Sequence, residues 1–180
     1  MISLPSAQAA PSFDDPLQML RACHEKILRQ CDTLKKLAAH LTNNGCDAQV
    51  QQAAQGILRY FDTAGQFHHQ DEEENLFPAL RSCPGVDATL LERLLADHVI
   101  MLCAWDALRP VLARLAEGKE VKLEAARSEK FIKSYTAHIN VENAELLPMA
   151  ATLLSPQQVA LIGRKMAERR GAKFPESAGG

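Results

Sequence analysis

Two stretches of this 180-residue chain are copies of one another, and the copies have helical spacing. His68, Glu72, Leu76 and Pro78 recur 70 residues later as His138, Glu142, Leu146 and Pro148, and Phe61 recurs as Phe131. Leu20, Ala22, His24, Leu28, Asp32 and Leu34 recur 74 residues later as Leu94, Ala96, His98, Leu102, Asp106 and Leu108. Within each copy the apolar residues return every three or four positions, the period of a helix with one buried face. The chain is therefore two versions of one helical hairpin.

The punctuation between helices fixes their number. Pro16 suits a first helical position, with Asp14 or Asp15 as its cap. That helix fades at Asn43-Asn44-Gly45. A second is expected from Asp47, with Ile57, Phe61, Ala64, His68, Glu72 and Leu76 on one stripe, weakening at Pro78 and ending by Gly85. A third runs from Asp87 to Gly118, with a kink expected at Pro110. A fourth starts near Leu123, and Ser155-Pro156 opens a short fifth that runs to Arg169. The expectation is an all-α protein: an up-down-up-down four-helix bundle over residues 14–169 with a short fifth helix. The segments 1–13 and 170–180 are expected to be flexible.

Composition excludes several classes of function. Twenty Lys and Arg against 22 Asp and Glu give a net charge of −2, unlike a nucleic-acid binder or membrane-surface protein. No apolar run reaches the roughly 18 residues that a membrane helix needs. The five cysteines are scattered without a CxxC pair, which disfavours disulfides and thiolate zinc sites. Residues 1–16 lack the basic and apolar regions of a secretory signal. A cytoplasmic location is expected, as a monomer or a homodimer.

Four histidines and two glutamates stand on stripes that should be apolar: His24, His68, Glu72, His98, His138 and Glu142. A buried carboxylate costs several kcal/mol unless something compensates it. Six such residues, equally divided between two copies, point to a shared partner with pseudo-twofold symmetry. Each half supplies two imidazoles and one carboxylate able to bridge two metals. Two octahedral ions offer about twelve positions, and these groups with a bridging oxo or hydroxo group fill about ten. The expected cofactor is two iron ions with that bridge. Manganese accepts the same ligand types, and zinc prefers a more compact four-ligand site.

The neighbours of these six carry smaller expectations. His69 lies about 100° round the helix from His68 and is not expected to be a ligand. Glu73 and Glu74 read as a solvated face, His40 as structural, and Cys23 and Cys103 as packing thiols. Tyr135, one turn before His138, either packs as a core aromatic or lines the open metal position with its hydroxyl. Its counterpart in the first half is Gly65.

These residues resemble the hemerythrin-like, or HHE cation-binding, family. The resemblance lies in DDPLQMLRACHEKI, FHHQDEEENLFPAL, ADHVIM and AHINVENAELLP, and it spans residues 14–155. It implies a bundle around a non-haem di-iron centre, with the six residues above as ligands. Oxygen-carrying members have a further His where this chain has Leu102, and HxxxxD where it has HxxxE. The implied function is binding or sensing of a small diatomic, oxygen or nitric oxide. The alternative is an enzyme of nitrosative or oxidative stress defence that reduces nitric oxide or peroxide, or donates iron for cluster repair.

Overall fold

Four of the helices start where a side chain satisfies one of their first free N–H groups. In the computed structural model, which describes residues 12–174, α1 spans Pro16–Asn44, and the Asp15 carboxylate accepts from the Gln18 amide at 3.0 Å. Gly45 ends it with φ of 74°, a left-handed conformation in which a side chain would be strained. α2 spans Ala48–Phe61 under an Asp47 cap, and α5 spans Ala88–Ala116 under an Asp87 cap. α6 covers Ala125–Val141, and α8 covers Pro156–Arg169 behind a reciprocal Ser155–Gln158 capping box. α5 continues through Pro110 to Ala116 as one helix.

The second helical rod departs from expectation. It is not one helix but three, α2, α3 (Ala64–Asp71) and α4 (Phe77–Arg81), with a break at Asp62 and Thr63. Both residues have alternatives to continuing the helix. The Thr63 hydroxyl donates to the Arg59 carbonyl at 2.6 Å, and Asp62 is drawn outward to Arg109 at 2.8 Å. The break changes the phase, so Gly65 rather than Ala64 is buried beneath Phe61.

Between α3 and α4 the chain makes a π turn over Glu72–Leu76. The fourth rod repeats it over Glu142–Leu146, between α6 and α7 (Leu147–Leu153). In each turn the N–H five residues on, of Phe77 or Leu147, donates to the carbonyl of the glutamate. Pro78 and Pro148 follow immediately. A proline has no N–H for the carbonyl four residues back and would crowd it, and a wider turn relieves that conflict. Pro78, expected to weaken the second helix, instead marks such a turn, and Pro148 marks the other.

α1 packs against α2 and α6, and α5 packs against the same two. The described residues contain no strand. The interior is apolar at both ends. One cluster holds Ile27, Leu34, Phe61, Trp105, Phe131 and Tyr135. The other holds Leu20, Phe77, Leu80, Leu94, Leu146 and Met166. α8 lies on α1, α3 and the first π turn, contributing Ile162 and Met166 to the second cluster. Its Gly163 lets the Phe13 backbone pass so closely that a Cβ would strike the Phe13 carbonyl.

Residues 1–11 and 175–180 of the segments expected to be flexible lie outside the described residues. Within those segments Phe13 packs on the second cluster, Arg170 pairs with Asp71, and Arg164 lies 5.4 Å above the Phe174 ring. No helix is long and apolar enough to cross a membrane, among the described residues.

Candidate metal centre

A polar layer separates the two apolar clusters. His24, His68, Glu72, His98, His138 and Glu142 are each at most 3% exposed, and together they make this layer. Leu20 and Ile27 bracket His24 along α1, as Leu94 and Met101 bracket His98 along α5. The structure thus brings together all six residues singled out from the sequence.

Their donor atoms form two groups, within each of which the atoms lie within 4.8 Å of one another. His24 and His68 make one group with both glutamates, and His98 and His138 make the other with the same two glutamates. Glu72 places Oε1 at 3.4 Å from His68 Nε2 and Oε2 at 3.3 Å from His98 Nε2. Glu142 places Oε2 at 3.1 Å from His24 Nε2 and Oε1 at 3.1 Å from His138 Nε2. Each carboxylate therefore spans both groups. The four carboxylate oxygens, His24 Nε2 and both nitrogens of His68 are buried without a hydrogen-bond partner among the described residues. Buried polar atoms in folded proteins almost always have partners. Two cations would supply them here, and nitrogen and oxygen donors in this ratio suit transition metals.

The electrostatics show the strain of the cluster without a cation. Burial opposes protonation of His24, but the Glu142 and Glu72 carboxylates outweigh it and raise its pKa to about 10. Against the same effect of burial, Glu72, with help from Glu142 and Glu73, raises that of His98 to about 9. Burial and the nearby Glu142 push Glu72 upward. Burial also raises Glu142, yet His138 and His24 overcome it and hold that carboxyl well below its usual range. His68, fully enclosed and beside His24, is held well below the imidazole range.

A ring of supporting residues orients the imidazoles. His24 Nδ1 lies 2.8 Å from Asn143 Oδ1, and His98 Nδ1 lies 2.6 Å from Glu73 Oε1. With the ring proton on Nδ1, each histidine donates outward and leaves Nε2 for the centre. Glu73 and Asn143 stand one residue after Glu72 and Glu142, so the support obeys the same twofold repeat. Asp97 lies 3.4 Å from His138 Nδ1. The position corresponding to Asp97 in the first half is Cys23, and His68 Nδ1 is left unpartnered.

The sequence reading missed Asn143 and Asp97 and assigned Glu73 to a solvated face. Glu73 is exposed, as a solvated face requires, but its Oε1 also braces His98. The 70-residue offset that pairs Glu73 with Asn143 was the available signal. Leu102, where oxygen-carrying members of the family have a further His, is 55% exposed on the outer face, and Met101 is the interior residue one turn beyond His98. Tyr135 is buried in the aromatic cluster, 4.9 Å from Phe131 and 5.3 Å from Phe61 between ring centroids. His40 pairs with Asp47 at 2.8 Å near the first interhelical turn, away from the centre.

Beyond the layer, Asp71 is fully buried beside Glu72 and is held by Arg169 and Arg170 of the α8 end. Arg169 also reaches Glu74 at 2.6 Å and Asn75 at 3.0 Å. α8 is thereby fastened to the segment that carries His68 and Glu72.

Residues 15–150 match the family described as the Hemerythrin HHE cation binding domain. A Haemophilus influenzae protein described as an uncharacterized protein is 31% identical over 166 residues, covering 92% of this chain and 96% of that protein. The buried His and Glu cluster, its shared carboxylates and the family match agree, and the chain belongs to the hemerythrin HHE cation-binding family.

Proposed function

We propose that this protein is a non-haem di-iron protein that binds a small diatomic gas, oxygen or nitric oxide, in an up-down-up-down bundle formed by residues 14–169. His24 and His68 would hold one ion, and His98 and His138 the other. Glu72 and Glu142 would each give one oxygen to both. The observation that carries this reading is the set of unpartnered carboxylate oxygens lying between four buried imidazoles. Iron with a bridging oxo or hydroxo group fits the mixed donor set and leaves roughly one position open per ion. When bound, the pair supplies redox and gas-binding chemistry. The chain's own residues exclude water, fix the imidazole planes through Asn143, Glu73 and Asp97, and neutralise the positive charge. Five unpaired cysteines support a reducing, cytoplasmic setting.

Elemental analysis and an optical spectrum in air test the proposal together. Iron at about two per chain is expected, with oxo-bridge charge-transfer bands in the near ultraviolet. Purified protein that takes up no iron, with stability unchanged by His68→Ala, would defeat it. Stopped-flow mixing with nitric oxide or peroxide separates binding from catalysis: stoichiometric binding without turnover supports the gas-binding reading, and turnover favours the enzyme.

A further inference from the structure

The two halves of the centre agree in their six donors and differ in what stands beside them. Position 69 is His, and its counterpart 70 residues on is Ile139. Position 135 is Tyr, and its counterpart is Gly65. These two departures from the repeat meet in space. The His69 ring lies on Tyr135 at 5.8 Å with planes 13° apart, and on His98 at 4.1 Å with planes 16° apart. A stack of three rings, Tyr135, His69 and His98, therefore ends on a donor of the second group. At the positions that the repeat pairs with these two, Ile139 and Gly65 bring no side-chain polar atom.

His69 is the anomaly in this stack. The residue is only half-buried, yet its Nε2 is sealed from solvent and has no hydrogen-bond partner among the described residues. It belongs to neither donor group. Its ring is nearly parallel to His98, so the two imidazoles run side by side. A neutral imidazole has one N–H and one lone pair. A buried imidazole nitrogen with nothing to bond is a standing cost, and an apolar residue serves at the matching position 139. Something that comes and goes would satisfy it.

We infer that a small exogenous ligand binds on the His98/His138 side of the centre, with His69 Nε2 as its hydrogen-bond partner and Tyr135 holding the His69 ring in place. The inference rests on the di-iron reading above. The ligand class is a molecule or anion of two or three atoms with a lone pair to accept a hydrogen bond. The ligand would then favour the ion held by His98 and His138, the one beside His69.

The test is titration of the iron-loaded full chain with azide, followed by its charge-transfer band, alongside iron content and helicity for each variant. His69→Phe keeps a flat ring in the stack and removes the nitrogen; His69→Gln restores a donor. The expected result is iron at about two per chain in both, with azide affinity about tenfold or more weaker in His69→Phe and largely recovered in His69→Gln. Unchanged azide affinity in His69→Phe overturns the inference. So does a fall to about one iron per chain in that variant, which would make His69 a ligand. A wild-type chain that loads no iron overturns the di-iron reading itself, and is told apart because the other failures begin from a loaded wild type.

Discussion

The Nε2 atoms of His98 and His138 stand 3.1 Å apart in the core of the protein. Each ring has an acidic neighbour at Nδ1, Glu73 for His98 and Asp97 for His138. If both rings keep their protons on Nδ1, two lone pairs face one another. Either a proton or a cation must stand between them. Without metal the protonated state is favoured, as the raised pKa of His98 indicates.

Loading should therefore expel protons. His24, at about 10, and His98, at about 9, carry protons at pH 7 in the metal-free protein. Both must lose them to bind a cation. About two protons released per loaded chain are expected, read from the buffer dependence of the binding heat. The apparent affinity should climb as pH rises from 7 toward 9. An affinity that falls over that range would contradict the assignment of these two rings.

Metal should stabilise the fold. Binding to the native state alone, at a free concentration about 100 to 1,000 times the dissociation constant, contributes about 3–4 kcal/mol. For a chain of this size that raises the melting temperature by roughly 6–16 °C. Thermal melts with and without chelator measure it, and coincident melts would remove the cation from the account.

The glutamates and the histidines should differ in what their loss does. Glu72 belongs to both donor groups and His24 to one. Glu72→Gln is expected to leave less than one iron per chain, and His24→Ala about one, by elemental analysis. Glu72 is a fully buried acid crowded by Glu142, so Glu72→Gln should melt higher than metal-free wild type, by about 1–2 kcal/mol.

Asp71 makes the opposite case. It is fully buried, and its charge is answered by Arg169 and Arg170. Replacing both arginines by alanine strands that charge and should cost about 3–5 kcal/mol in urea unfolding. Asp71→Asn in the double variant should recover part of the loss. No recovery would mean that the arginines act through packing alone.

What the sequence made legible follows from what repeats in it. The gathering of the six buried His and Glu residues could be read because each lies on an apolar stripe and each has a counterpart in the other half. The helix starts at Asp15, Asp47, Asp87 and Ser155 could be read because capping is local chemistry. The break at Asp62 was hidden because its cause, Arg109, lies on another helix. The π turns were hidden because their only marks, Pro78 and Pro148, are also marks of a helix that ends. The clamp of Arg169 and Arg170 on Asp71 joins residues about a hundred positions apart, which no periodicity reports.

The doubled architecture also sets an order of events in the life of the molecule. A chain emerges from synthesis N-terminus first. His24, His68 and Glu72 appear long before His138 and Glu142, and the arginine clamp later still. A half-made chain offers two imidazoles and one carboxylate, with no second carboxylate to complete either pocket. On the di-iron reading, premature capture of a cation would be discouraged, and the centre would be complete only when the second hairpin had closed on the first.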